Sequence, residues 1–357
     1  MRVLRSLGIV VAVIVCIAGA AVFAFKTATS NFNRPALAQC EQTTEAICDS
    51  SFTSAGNTLP YRLIRPENGV QPVAMMLVLH GANLNGPAQE WLSNGTLRAL
   101  ASRERLIIVL PSAGGDLKVW NNGMNAGHPA VKALPDHLTI LSALVDRLRE
   151  DYAIAAGNVL VSGFSNGGAM AMRMACNGPL DIAAVGTFGA PIPRALIAQG
   201  CDRPIPILLT HGTKDGSVKF NGGYSTLLGM DIRELDGHPL QPMLPAQQAA
   251  EFWRTNNACS AAPKRKSIPN AAPGDGTQTT VTRYDECESN ASVVFAVVEN
   301  GQHTVPGDRP YPFVVNLLLT GRHSNDYSGY EAFWSFASDY VVTTPAPQDG
   351  SARGSTS

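Results

Sequence analysis

Asn158-Val-Leu-Val-Ser-Gly-Phe-Ser-Asn-Gly-Gly-Ala-Met-Ala-Met-Arg-Met-Ala-Cys176 is the stretch on which the fold turns. Val159, Leu160 and Val161 make a short apolar run that ends at Gly163, and Ala169 to Ala175 then hold residues that favour helix. Between them Gly163-Phe164-Ser165-Asn166-Gly167 reads G-x-S-x-G. The order is strand, tight turn, helix. A serine in such an elbow stands at the tip of the turn, and glycines on either side let strand and helix approach closely. The pentapeptide alone is weak; the strand before it and the helix after it lift it above chance.

Outward from the elbow, Val73–Leu79 and Leu106–Leu110 are continuous apolar runs closed by His80-Gly81 and Pro111, as strands buried on both faces read. Ala183–Phe188 and Pro206–Thr210 are two further strands, and residues 51–66 give two short ones around Ala55-Gly56-Asn57. Val281–Tyr284 and Ser292–Glu299 look paired. Helical spacing marks Leu92–Arg103, Asp136–Asp151, Pro245–Asn256 and Tyr330–Val341. Residues 212–245 are rich in Gly and Pro and read as loops, and 260–277 show no periodicity. Strands alternating with helices imply an α/β class with a mostly parallel central sheet covered by helices on both faces. No internal repeat and no second boundary interrupts 39–343, which read as a single domain.

The chain has 357 residues, 45% of them hydrophobic, and a net charge of -1, enough to bury a sizeable core. No Lys/Arg run calls for nucleic acid. Arg2 and Arg5 precede an uncharged run from Leu7 to Phe25, and Ala36-Leu37-Ala38 offers a small-residue cleavage site. Residues 1–38 therefore read as a signal peptide, or residues 7–25 as an uncleaved membrane anchor. Leu37-Ala38-Gln39-Cys40 is a poor lipoprotein box. Each reading puts the body of the protein outside the cytoplasm, secreted or periplasmic. The tail, 344–357, is polar and expected to be disordered. Setting Cys16 aside leaves Cys40, Cys48, Cys176, Cys201, Cys259 and Cys287. An even number in an exported chain points to disulfides, which pair as 40–48, 176–201 and 259–287 if sequence neighbours join. A metal site is disfavoured, since there is no C-x-x-C and no histidine at ligand spacing.

A serine hydroxyl needs a base to take its proton, and that histidine needs a carboxylate on its other nitrogen. In this fold class the chain order is Ser, Asp or Glu, His. Ser165, Asp215 and His303 fall in that order, the last two just beyond predicted strands, where open α/β sheets assemble their sites. Among the rival histidines, His128 and His137 precede the serine, and His137 reads as solvent-facing on its helix. His238 follows no strand and His323 lies in a pre-helix turn. Asp231 and Asp236 are rival carboxylates in looped sequence. Two N–H donors must hold the oxyanion: Asn166, next after the serine, and Ala82 in the turn His80-Gly81-Ala82-Asn83, with Asn83 behind it. His80 is expected to hydrogen-bond within that loop.

These pieces together resemble the polyhydroxybutyrate depolymerase and feruloyl esterase-like family of secreted α/β-hydrolases. The matching blocks are Leu79-His80-Gly81, Trp120-Asn121, Gly163 to Gly168 with Met170 and Cys176, His211-Gly-Thr-Lys-Asp215 with Val218 and Gly222-Gly223, and Gly301-Gln-His-Thr-Val-Pro-Gly307. The resemblance implies an α/β-hydrolase fold, the triad Ser165, Asp215 and His303, and bridges 176–201 and 259–287. It also implies a carboxylic-ester hydrolase using an acyl-enzyme and no cofactor or metal. Where the family commonly has an aromatic after His-Thr, this chain has Val305, so a smaller substrate face is expected there. Trp120 and Asn121 join Val305 as candidate substrate-binding residues; Trp120 packed beneath a glycine loop is the other reading. With no polymer-binding module in the short tail, small-molecule or oligomeric esters are the expected substrates. Membrane contact is expected only through the N-terminal segment. A catalytically silent binding protein on the same scaffold, and a serine peptidase or amidase, are the alternatives.

Overall fold

The structure is a computed structural model that describes residues 37–115, 118–227, 230–235, 237–310 and 321–342. The apolar run 7–25, the tail 344–357 and Asp236 lie outside the described residues.

A ten-stranded sheet runs through the molecule. Its strands are β1 (Ile47–Ser54), β2 (Asn57–Ile64), β3 (Ala74–Leu79), β4 (Leu106–Pro111) and β5 (Val159–Phe164). They continue with β6 (Ile182–Phe188), β7 (Ile207–Gly212), β8 (Lys264–Ser267), β9 (Gln278–Tyr284) and β10 (Val293–Glu299). The spatial order is β1-β2-β4-β3-β5-β6-β7-β10-β9-β8. The six strands from β4 to β10 are parallel. Antiparallel pairs finish both edges.

Alternation along the parallel strands divides the core in two. Met75, Leu77 and Leu79 point to one face, Ala74, Met76 and Val78 to the other, and all are buried. The first face is covered by the helices His137–Asp151, Asn166–Asn177, Arg194–Gln199 and Ala246–Asn256. The second is covered by Gly86–Leu92, Thr96–Arg103 and Gly329–Ala337. This is the α/β-hydrolase fold. Chain order reverses at β3: β4 lies on one side of it and β5 on the other. The loop after β3 and the elbow after β5 therefore emerge side by side at the carboxyl ends of the strands, where open α/β sheets assemble their sites.

Three local expectations change. The helix read over 92–103 is two helices, because Asn94 (φ 53°) and Gly95 (φ 85°) adopt left-handed backbone that no α-helix tolerates. The aperiodic 260–277 segment contains β8, whose Lys264-Arg-Lys-Ser267 side chains are all exposed. An edge strand guarded by charge carries no apolar alternation to read. Within 212–245, short two-residue ladders pair Thr226–Leu227 with Met230–Asp231 and Glu234–Leu235 with His238–Pro239.

Disulfides join Cys40 to Cys48, Cys176 to Cys201 and Cys259 to Cys287. Such bridges fit an oxidising, extracytoplasmic compartment. Among the described residues no helix is long and apolar enough to cross a membrane.

Candidate active site

Ser165 sits between β5 and the helix Asn166–Asn177 with φ 53° and ψ −120°. A non-glycine residue there costs about 1–3 kcal/mol and persists only where its surroundings impose it. They do so by close packing. A Cβ on Gly163 would meet the Gly167 carbonyl oxygen at 2.3 Å, and one on Gly167 would meet the Leu79 carbonyl oxygen at 2.3 Å. The Ser165 N–H is anchored to the Phe188 carbonyl at 2.8 Å.

Asp215 and His303 reach the same rim from β7 and β10. His303 Nδ1 lies 2.7 Å from Asp215 Oδ2, with both side chains buried. The other carboxylate oxygen, Oδ1, accepts the N–H groups of Ser217 (2.9 Å) and Val218 (2.7 Å). Gly189, at the end of β6, backs the pair: a Cβ there would lie 3.1 Å from His303 Nδ1 and 3.2 Å from Asp215 Oδ2. The imidazole rests against the ring of Phe164, 4.7 Å between centroids, one residue before Ser165. Among the described residues no hydrogen bond joins the Ser165 hydroxyl to His303. Such bonds are commonly long in a free enzyme and tighten once substrate is bound.

The loop after β3 packs on the elbow. A Cβ on Gly81 would lie 2.8 Å from the Phe164 ring and 3.4 Å from Ser165 Cβ. The turn Gly81–Leu84 closes through Leu84 N–H to Gly81 O at 3.2 Å, with Asn83 at φ 62°. Ala82 is carried on this turn. Asn166 opens its helix, so its N–H is among those without an intrahelical acceptor.

His80 hydrogen-bonds within the loop, as its position suggested. Its Nδ1–H donates to Gly81 O (2.7 Å) and its Nε2 accepts the Ala113 N–H (3.0 Å). Burial pushes the ring down to about 4, so it is neutral in this tautomer.

Trp120 is 1% exposed, so the structure supports its packed reading and not the pocket-lining one. Its indole N–H donates to His80 O at 3.0 Å and its backbone N–H donates to Asn166 Oδ1 at 2.7 Å. It ties the loop after β3 to the start of the elbow helix. The backbone of Asn121 is fixed on both sides: its N–H donates to His137 Nδ1 at 3.0 Å and Arg173 donates to its carbonyl oxygen.

His137 is a correction to the sequence reading. It is buried, edge-on to Trp120 (centroids 5.2 Å apart), and burial holds it at about 4. Val305 is also corrected: at 2% exposure it packs in the core with Phe188 and against Gly329. Val305 thus contributes to core packing and not to a substrate face.

The rival residues find other partners. His128 caps a short helix through Ala130 N–H and donates to Leu235 O. His238 lies edge-on to His128 at 5.2 Å. His323 faces Asp275 and Asn325. Asp231 pairs with Lys219 at 2.7 Å and Arg233 at 3.3 Å.

A parallel sheet that reverses at β3, a serine elbow after β5 and a His–Asp pair at the same rim define an α/β-hydrolase. Residues 72–227 match the phospholipase/carboxylesterase family. The chain is 28% identical to NocK of Nocardia uniformis subsp. tsuyamanensis, a protein named for esterase activity, over 75% of this chain and 79% of that one. It is 23% identical to feruloyl esterase B of Piromyces equi, over 69% of this chain and 43% of that one. It is 29% identical to the poly(3-hydroxybutyrate) depolymerase of Ralstonia pickettii, over 35% of this chain and 27% of that one. The chain thus spans less than half the length of the last two. The activity class these likenesses support is carboxylic-ester hydrolysis.

Proposed function

We propose that the protein is an exported serine esterase that works through an acyl-enzyme, with Ser165 as nucleophile, His303 as base and Asp215 as its orienting carboxylate. The observation that carries this reading is the 2.7 Å His303–Asp215 bond at the rim that also bears the left-handed Ser165 elbow.

Asp215 accepts from Nδ1–H and so leaves Nε2 as the basic nitrogen. As Ser165 Oγ attacks the ester carbonyl, Nε2 takes the hydroxyl proton, and the carbonyl oxygen becomes an oxyanion held by the Asn166 and Ala82 N–H groups. Collapse breaks the bond to the alcohol, which leaves with the proton from His303. Water, deprotonated by the same nitrogen, then releases the acid and restores Ser165. No cofactor is needed for these steps.

The three disulfides support export, with residues 1–38 as signal or 7–25 as anchor. Small-molecule or oligomeric esters are the proposed substrates. Ser165→Ala, purified and folded, is expected to lose p-nitrophenyl acetate turnover, and unchanged turnover would overturn the assignment. Acetyl, butyryl, feruloyl and hydroxybutyrate-oligomer esters assayed side by side identify the acyl preference.

A further inference from the structure

A second imidazole stands against the Asp215 carboxylate. His211, in the last residues of β7, is buried, with Nε2 2.7 Å from Val218 O and 3.5 Å from Asp215 Oδ2. A carbonyl oxygen only accepts, so Nε2 carries the hydrogen. The nitrogen that bears this hydrogen also lies 3.5 Å from Oδ2, the oxygen that holds His303. Val218 is also the residue whose own N–H donates to Asp215 Oδ1, at 2.7 Å. The bond from His211 thus closes the turn 212–218 from which both donors to Oδ1 arise. On its other side the ring meets Phe220 edge-on, at 5.9 Å.

We propose that His211 is a positioning residue for the triad carboxylate: it locks the Val218 peptide so that Asp215 keeps its N–H cradle, and it sets a neutral ring beside Oδ2. This rests on the assignment of Asp215 above. His211 suits the task because burial favours its uncharged form. Burial lowers its proton affinity, Asp215 opposes that, and His303 adds to the lowering. Those two are the titratable groups acting on it, and Phe220 lies edge-on to the ring. A charged residue here would compete with His303 for the carboxylate, and an apolar one would leave Val218 O without a donor in a buried place.

The test compares His211→Phe with His211→Gln, whose amide keeps a donor on a side chain of similar reach. His211→Phe is expected to lower kcat/KM about 10- to 100-fold, chiefly through kcat, because a displaced carboxylate misplaces the base. The acid limb of the kcat/KM profile should move to lower pH by about half a unit or more, since a carboxylate drawn away stabilises the His303 imidazolium less. His211→Gln should recover most of kcat and return the limb. Loss of folded protein alone would scale the profile without moving it. If His211→Phe does not fold, His211→Asn, too short to reach Val218 O, takes its place with the same expectation.

Kinetics of His211→Phe within twofold of the parent would overturn the proposal. So would an unmoved acid limb, or a folded His211→Gln as impaired as His211→Phe. Wild-type labelling by a fluorophosphonate separates the two levels. An unlabelled wild type sinks the triad reading itself, whereas a labelled wild type with an indifferent His211→Phe sinks only the role of His211.

Discussion

Gly167→Ala probes the contact that joins the elbow helix to the end of β3. The new methyl would lie 2.3 Å from the Leu79 carbonyl oxygen, 2.5 Å from the His80 carbonyl oxygen and 2.7 Å from the Leu79 carbonyl carbon. Real Cβ atoms are essentially never found under 3.0 Å, and all three neighbours are backbone, so no side chain can swing aside. The end of β3 or the start of the elbow helix must give way by at least about 0.7 Å, a shift of the size that overpacking forces on a filled interior. Overpacking of this kind costs about 1–3 kcal/mol, which in a domain of this size lowers Tm by roughly 2–10 °C. The larger effect falls on turnover. His80 leads into Ala82, so the displacement moves one proposed oxyanion donor relative to the other, and losing a donor costs about 10²–10³ in kcat. Steady-state hydrolysis of p-nitrophenyl acetate, with melting followed by circular dichroism, measures both. Gly274→Ala is the control, because a Cβ there meets nothing within 4 Å. Parental kcat and Tm in Gly167→Ala would refute the packing argument.

Further outcomes follow from the same geometry. Asp215→Asn keeps the shape but favours the wrong imidazole tautomer, so kcat should fall about 10³–10⁴-fold with little change in KM; a drop under tenfold in the purified variant counts against Asp215 as the triad carboxylate. Burial depresses His80 and His137 from 6.5 to about 4. Between those values the unfolded chain binds protons that the folded one refuses, so stability is greatest above about pH 6.5 and declines as pH falls towards 4. The loss is on the order of 3 kcal/mol for each ring. Melts across pH 4–8 should show Tm falling on the acid side, less steeply in His137→Gln, and a flat profile would contradict the burial of these rings. The bridge Cys259–Cys287 closes a separation of 28 residues near the amino ends of β7 and β10, at the end of the sheet opposite the candidate site. Replacing both cysteines with alanine should remove about 3 kcal/mol of stability while leaving kcat at 25 °C unchanged; a loss of kcat without a loss of Tm would contradict that placement.

The six parallel strands were readable because each is buried on both faces and so appears as an unbroken apolar run, and the elbow because its glycines are demanded by backbone contact. The placement of Ser165, Asp215 and His303 was readable because each follows a strand. What escaped has physical reasons too. His137 shares a helix with polar neighbours and carries no sign that a loop some 16 residues away will cover it and donate to its ring. Val305, two residues after the candidate base His303, looks like a substrate contact, and only packing against Phe188 and Gly329 shows it facing inward. Strand β8 is held by edge hydrogen bonds and displays charge on both faces, which no periodicity registers. His211 stands in a motif ahead of Asp215, but its bond to Val218 joins residues seven apart through a turn whose shape depends on Asp215.

The most direct test is covalent. Incubation of the folded protein with a fluorophosphonate, followed by peptide mass spectrometry, should find one adduct on Ser165, formed at a rate that collapses in His303→Ala and absent in Ser165→Ala. Ester turnover that persists with no adduct at Ser165, or an adduct at a different serine that tracks with activity, would contradict the account.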